Sequence, residues 1–482
     1  MNHYAFCPRI IIVLNDITFY AMLLKDKIFR AYDIRGVAFE DFDEDGFMAI
    51  AESFAKYLHT KFDLKKSRIF VSGDGRNSMP ELFPAVITGL TMAGADVTWG
   101  GLAATPVNYF AFHEGDFDGA IQISASHNPA DYNGLKLSDR NGAVCGDEIQ
   151  VIRKLAQCGV CPKAAKKFGA CVNDCQKTDF FVPYKHKIKS LFSESFTPKK
   201  IVIDAGNAVP GMFYPQVFRA FGFEVIELYT DLNPLFPNHQ PDPERAENLQ
   251  DLIIIVRENK ADFGLAYDGD GDRVGVVLSD GRIISADKIL YILAVDYLSR
   301  NPNQPVVLDA MSSDALAQKI TEAGGKVIWS KTGHSHIEHT MKAHNAELGG
   351  EQSGHFMLGE NFYGHDDALL ASLRFLQAVQ KNPEFLTEVT NNWPEMYEFS
   401  EKIKTTDEAK FGIVDQVAAA IKKDYPAART MDGIRVSFGD NEWAIIRCSN
   451  TSPNIAIRLE AKSTKSLEQK KKYLLGVVDR FL

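Results

Sequence analysis

Three stretches of the chain repeat one pattern of apolar and polar positions. The apolar runs Ile69-Phe70-Val71, Ile201-Val202-Ile203 and Val306-Val307-Leu308 each read as a buried strand. Gly73-Asp74-Gly75 and Gly206-Asn207 supply a loop after the first and second runs, and a helix-length stretch follows all three. Each stretch then ends in a glycine and a second β-rich run: Gly94 before Asp96-Val97, Gly222 before Glu224-Val225, and Gly324 before Lys326-Val327. A glycine closing a helical pattern ahead of a β-rich run is the expected cap before a parallel strand. The pattern therefore predicts three similar α/β domains with mixed sheets.

Beyond about residue 395 the grammar changes. Ile434 to Phe438, Trp443 to Ile446 and Asn454 to Leu459 read as closely spaced strands, flanked by helices near Ile413 to Lys423 and Leu467 to Phe481. This predicts a C-terminal α+β domain built on an antiparallel sheet. The expected division is an N-terminal extension over 1–21, α/β domains over 22–175, 176–281 and 282–395, and the α+β domain over 396–482. One candidate loop then falls in each of the four domains, around a central cleft.

Composition narrows the class. At 482 residues the chain is too long for one core. A net charge of −10 disfavours sequence-independent binding to nucleic acid, while leaving room for a local basic pocket. No apolar run approaches the length that spans a bilayer, Ile10 to Leu14 included, so no membrane partner is expected. Of the seven cysteines, Cys158, Cys161, Cys171 and Cys175 have a C-x2-C-x9-C-x3-C spacing. Tetrahedral zinc is conceivable there, although the gap between the pairs is short for a zinc ribbon, and reduced thiols in a cytoplasmic protein are the expectation.

The clearest chemistry lies in Asp268-Gly269-Asp270-Gly271-Asp272-Arg273. Three carboxylates at alternate positions on a glycine-loosened loop can converge on one hard divalent cation, and without one they would repel. The loop joins two apolar runs, Phe263 to Tyr267 and Val274 to Leu278, that read as strands. Asp/Gly clusters also occur as plain solvated turns. An EF-hand is excluded because Ser279 stands at position twelve, where a bidentate Glu is needed. A dinucleotide fingerprint is excluded because no helix opens behind the glycines. A second candidate, Ser124-Ala125-Ser126-His127-Asn128-Pro129, follows the apolar Ala120-Ile121-Gln122-Ile123. A serine displayed there can act as nucleophile or phosphate carrier, but no G-x-S-x-G elbow surrounds it, and such turns are ordinary loop chemistry on their own.

Together these loops resemble those of the α-D-phosphohexomutase superfamily. Ser124 to Pro129 resembles its phosphoserine loop and Asp268 to Arg273 its magnesium loop. In the family's order, Gly350-Glu351-Gln352-Ser353-Gly354-His355 is similar to the sugar-reading loop, and Arg447-Cys448-Ser449-Asn450-Thr451-Ser452-Pro453 to the phosphate-binding loop. The opening Phe29-Arg30-Ala31-Tyr32-Asp33-Ile34-Arg35-Gly36 is similar to that of bacterial phosphomannomutase/phosphoglucomutase enzymes, and the likeness runs from about Met22 to the C-terminus.

The resemblance implies a phosphohexomutase that moves phosphate between O1 and O6 of mannose or glucose. Ser126 would carry the phosphoryl group, with Mg2+ held by Asp268, Asp270, Asp272 and the group on Ser126, and Arg273 adding a fixed positive charge. A hexose 1,6-bisphosphate would serve as intermediate and activator. Arg447, Ser449, Asn450 and Thr451 would hold the hexose phosphate, with Arg458 as an additional cation. Glu351 and Ser353 would meet sugar hydroxyls, and Tyr32, Arg35 and His334 would approach the substrate. Lys136 and His355, which would also approach the substrate, are two candidates for proton transfer between which the sequence does not decide. Two alternatives stand beside this: a phosphoglucosamine mutase, towards which Gln352 leans, and a sugar-phosphate-binding protein without turnover. One departure marks this chain. Met311, in Leu308-Asp309-Ala310-Met311-Ser312-Ser313, stands where relatives commonly carry a substrate-contacting Lys, so that contact should be missing or supplied by another cation such as Lys331.

Overall fold

The computed structural model describes residues 23–158, 175–197, 199–406, 408–449 and 454–482, together with the backbone of a short antiparallel hairpin, Ile11–Leu14 with Ile17–Tyr20. Asn450, Thr451, Cys161 and Cys171 lie outside the described residues. Four further sheets follow in chain order. In the first, Arg68–Gly73 pairs in parallel with both Asp96–Leu102 and Gly119–Ile123, and the sheet continues antiparallel through Tyr132–Asp139 to Ile34–Val37. The second is centred on Lys200–Asp204, parallel to Glu224–Leu228 and Phe263–Tyr267, with Val274–Leu278 turned antiparallel. The third repeats the plan about Pro305–Asp309.

The capping glycines are the common structural signature of the three units. Gly94, Gly222 and Gly324 have φ of 84°, 90° and 87°, a left-handed conformation that glycine adopts without a Cβ penalty. Each turns a helix, ending at Met92, Ala220 or Glu322, directly into the next parallel strand. The division expected from sequence cuts two sheets slightly short. Gln176–Lys177 still pairs with Asp96–Leu102, and Ile283–Ile284 still pairs with Val274–Leu278.

The fourth sheet is wholly antiparallel, in the order Tyr397–Lys404, Asn454–Ala461, Glu442–Cys448, Ile434–Gly439. One face packs on the helices Ala409–Asp424 and Thr464–Val478 and forms a core of its own. By contrast, one apolar cluster runs through the second and third units and takes in Val107 and Phe110 of the first. The fourth domain is thus a separate body. It is fastened to the third by Arg435, whose guanidinium lies between Trp329 and Trp443, 4.1 and 4.3 Å from their ring centres. The same side chain donates to the carbonyls of Ala310 and Ser312 and pairs with Asp314 at 2.7 Å.

Candidate active site

The serine loop and the aspartate loop meet face to face. Ser126 leaves the strand Gly119–Ile123 with φ of 51°, a left-handed backbone that is strained for a residue with a side chain. Its Oγ donates to Asp268 Oδ2 over 2.7 Å and lies 3.1 Å from His127 Nδ1. Sequence suggested an exposed serine. Ser126 is instead 1% exposed, because Gly269 lets the aspartate loop close over it; a Cβ at 269 would stand 2.3 Å from the Ser126 carbonyl oxygen.

The aspartate loop joins two strands, as the apolar runs predict, and these pair antiparallel, so that the loop is a hairpin turn. Its conformation is held by Asp268 Oδ1, which accepts from the amides of Gly271, Asp272 and Arg273 at 3.0 to 3.1 Å. Asp268, Asp270 and Asp272 are fully buried, and their oxygens can gather about one ion. Asp270 Oδ2 accepts from Thr105 Oγ1 at 2.6 Å and Ser124 Oγ at 3.1 Å, whereas its Oδ1 is buried with no hydrogen-bond partner. A buried carboxylate oxygen left without a donor, beside two other carboxylates, is the donor set a hard divalent cation requires. The residues therefore fit the metal that the sequence implies.

Two cations lean into this acidic centre. Lys136 Nζ is 2.7 Å from Asp270 Oδ2 and also bonds Asp272 Oδ2. Burial lowers its proton affinity, but the charges of Asp270 and Asp272 outweigh burial and raise it well above the usual lysine value. His355 lies 3.2 Å from Asp272 Oδ1 through Nε2 and 2.8 Å from Glu351 Oε2 through Nδ1. Burial and Arg273 oppose its protonation, yet Asp272 and Glu351 prevail and push it up to about 10. Arg273 Nε also points at His355 Nε2 over 3.2 Å, a bond that needs an unprotonated nitrogen. The two carboxylates on opposite ring nitrogens favour the imidazolium, and its contact with Arg273 is then one of like charges. Asp366, near the same ring, is pushed up to about 8 by burial and the Asp272 charge.

Ser126, Lys136, Arg273, His334, Glu351, Ser353, His355, Tyr32 and Arg35 all line one cavity of about 180 Å3. Glu351 does more than face it, since Oε1 accepts from the amide of Gly333 at 2.5 Å while Oε2 holds His355. His334 is kept neutral, lowered well below its usual value by burial and by Lys136. A second cavity of about 390 Å3 contains Arg447, Ser449, Arg458 and Met311, and shares Tyr32, Glu244 and Thr332 with the first. The two form one groove between the first three domains and the fourth. Arg447 Nε pairs with Asp432 at 2.8 Å, and its buried Nη2 has no hydrogen-bond partner. Lys331, the cation suggested as a substitute at Met311, is exposed and lines neither cavity.

The chain matches four sequence profiles in order: phosphoglucomutase/phosphomannomutase α/β/α domain I over residues 26–158, domain II over 182–281, domain III over 285–397, and the C-terminal domain over 401–475. A phosphomannomutase/phosphoglucomutase of Pseudomonas syringae pv. tomato is 34% identical over 95% of this chain and 96% of its own length. A phosphoglucomutase of Neisseria meningitidis serogroup A is 37% identical over 94% and 96%. The chain belongs to the phosphoglucomutase/phosphomannomutase family. A solved family protein from Burkholderia thailandensis has the same fold, with a TM-score of 0.83 at 34% identity, covering 95% of this chain and 98% of that one. As a member of the α-D-phosphohexomutase superfamily the chain is an enzyme of intramolecular phosphoryl transfer.

The structure also brings in residues that sequence reasoning passed over. Arg76, two positions after Asp74 in a loop read only for its glycines, is 2% exposed and directs both terminal nitrogens of its guanidinium at the serine loop. Thr105 ties the aspartate loop to the first domain through both its amide and its hydroxyl, each bonded to Asp270. A D-x-R sequence directly after a buried strand was the available signal for Arg76. Thr105 offered none. Gln352, the residue that leaned towards glucosamine, is not among the residues lining either cavity.

Proposed function

We propose that the enzyme interconverts the 1- and 6-phosphates of mannose and glucose through a phosphorylated Ser126 and a hexose 1,6-bisphosphate. One observation carries this reading: Ser126 Oγ sits 2.7 Å from Asp268, at one end of a groove whose other end holds Arg447 and Arg458. Such a groove suits a sugar with a reacting oxygen at one end and a resting phosphate at the other. Asp268, Asp270 and Asp272 would hold Mg2+, whose charge would offset that on the transferring phosphoryl oxygens.

In the transfer, the Ser126 Oγ–P bond breaks as the sugar O–P bond forms. The proton lost by the sugar hydroxyl balances the proton that Ser126 Oγ gains. Lys136 and His355 line the same cavity as Ser126, so they are the two candidates to return a proton to it. Arg273 adds a fixed positive charge at the same end of the groove. Glu351 orients His355, and Ser353 Oγ lies 3.1 Å from the same Nδ1, so both position that ring as well as facing the sugar. Accepting either end of the sugar at Arg447, Ser449, Asn450 and Thr451 would let a C2 epimer bind alike. The cysteine usage favours a reducing cytoplasm.

The test is the mass of the intact protein before and after incubation with hexose 1,6-bisphosphate, paired with coupled assays on mannose, glucose and glucosamine phosphates. One phosphoryl group should appear on the wild type and none on Ser126→Ala, which should also lose turnover. Turnover by Ser126→Ala would refute the serine route, and a preference for glucosamine phosphates would move the enzyme to the alternative substrate.

A further inference from the structure

The fourth-domain sheet presents two unlike faces. Phe399, Ile403, Ile455, Leu459, Ile434 and Ile446 point to the helices and build the core. Side chains alternate along a strand, so the intervening positions face the groove, and Lys402, Ala456, Arg458 and Arg447 line it. Across the ladder, Lys402 registers with Ala456, which registers in turn with Arg447. Two strand spacings separate the lysine and arginine backbones by roughly 9–10 Å, with only a methyl group between them. That gap is the right width for a phosphate held from both sides.

The three cations differ in how far their charge is already neutralised. Arg447 is paired with Asp432 at 2.8 Å, and Arg458 with Glu460 at 2.8 Å and Glu398 at 3.4 Å. Lys402 makes no ion pair among the described residues, although it stands in a chain of net charge −10. An ammonium on a four-carbon stem, uncompensated and facing a groove, is the group most available to a dianion. The wall opposite carries Met311, Tyr32, Thr332 and Glu244, none of which supplies a positive charge.

We propose that Lys402 binds the resting phosphate of the hexose phosphate, clamping it against Arg447 and supplying the charge that the Met311 loop lacks. The proposal rests on the mutase reading of the groove. Its test is calorimetric titration of the full chain with glucose 6-phosphate, beside KM and kcat measurements, for the wild type, Lys402→Met, Lys402→Arg and Lys331→Met. Lys402 is exposed on an edge strand, so these variants should melt like the wild type. Lys402→Met should raise both Kd and KM about tenfold, the loss of one charged contact, with kcat changed much less. Lys402→Arg should keep most of the affinity. An unchanged Kd in Lys402→Met, or a loss confined to Lys331→Met, would overturn the proposal. Titration needs no turnover, so a wild type that binds the ester without converting it would count against the mutase reading while the Lys402 comparison still decides this one.

Discussion

Arg76 Nη2 donates to the main-chain carbonyl of Ser126 over 2.5 Å, so the serine that should carry phosphate is held from behind by a buried guanidinium. The other donors are equally committed. Nη2 also reaches Asn128 O, Nη1 reaches Pro129 O and Tyr132 O, and Nε reaches Asp74 Oδ2 at 3.2 Å. All five N–H groups of the arginine are used, four of them on carbonyls of one loop. This clamp is what maintains Ser126 at a positive φ that its own chemistry disfavours.

Replacing Arg76 by lysine keeps the charge beside Asp74 but leaves at most three donors. At least two of the five acceptors lose their partner, which should cost roughly 2–5 kcal/mol of stability. Misplacing the reacting oxygen by about 1 Å should lower kcat about a hundredfold. Thermal melting and single-turnover rates measure the two effects separately. A destabilised Arg76→Lys with unchanged kcat would mean that the clamp serves the fold alone.

Gly269 tests how closely the two loops must approach. An alanine Cβ there would meet Ser126 O at 2.3 Å, and a backbone atom cannot swing aside as a side-chain tip can. Gly269→Ala should cost about 1–3 kcal/mol and force the serine and aspartate loops apart. The expected signature is a fall in kcat with KM for the sugar largely retained, because Arg447 and its neighbours lie at the far end of the groove. Normal kcat in this variant would show that transfer tolerates a wider separation.

The acidic centre should be stabilised by the ion it is built for. A cation binding only the folded chain adds stability as RT ln(1 + [L]/Kd), about 2.7 kcal/mol at a hundredfold excess over Kd. Mg2+ should therefore raise the melting temperature of the wild type, and exhaustive chelation should abolish turnover. Asp270→Asn removes one charge from the centre, so the Mg2+-dependent rise should shrink sharply together with activity. A melting temperature indifferent to Mg2+ in the wild type would argue against a metal at these three aspartates.

Legibility in the sequence followed locality. The aspartate loop could be read because its three carboxylates, its glycines and its two flanking strands all fall within sixteen residues, Phe263 to Leu278. The three capping glycines were equally plain, since their effect is on the adjacent bond. Arg76 was opaque because its meaning lies in carbonyls about fifty residues away. The strand Tyr397–Lys404 was missed for another reason. It is an edge strand carrying Glu398, Glu401, Lys402 and Lys404, and that charge, which protects an edge from pairing, hides the alternation of Phe399 and Ile403. Burial of Ser126 was misjudged because closure of one loop over another depends on the absence of a side chain at Gly269.

Met311 provides the last test, and its outcome is tied to Lys402. Both line the phosphate end of the groove, and Arg458 Nη1 lies 3.5 Å from the Met311 carbonyl. Met311→Lys alone should lower KM for glucose or mannose 1-phosphate by up to about tenfold, the equivalent of 1.4 kcal/mol of added binding. If Lys402 already serves the same phosphate, a second lysine gains less in the wild type than in Lys402→Met, where it should restore much of the lost affinity. Neighbouring residues that share a partner are non-additive in this way, whereas independent ones add. The double variant Met311→Lys/Lys402→Met should therefore bind glucose 6-phosphate nearly as well as the wild type. Strict additivity of the two changes would place the two side chains on different parts of the substrate, and poorer binding in Met311→Lys would mean that the groove is shaped around the methionine.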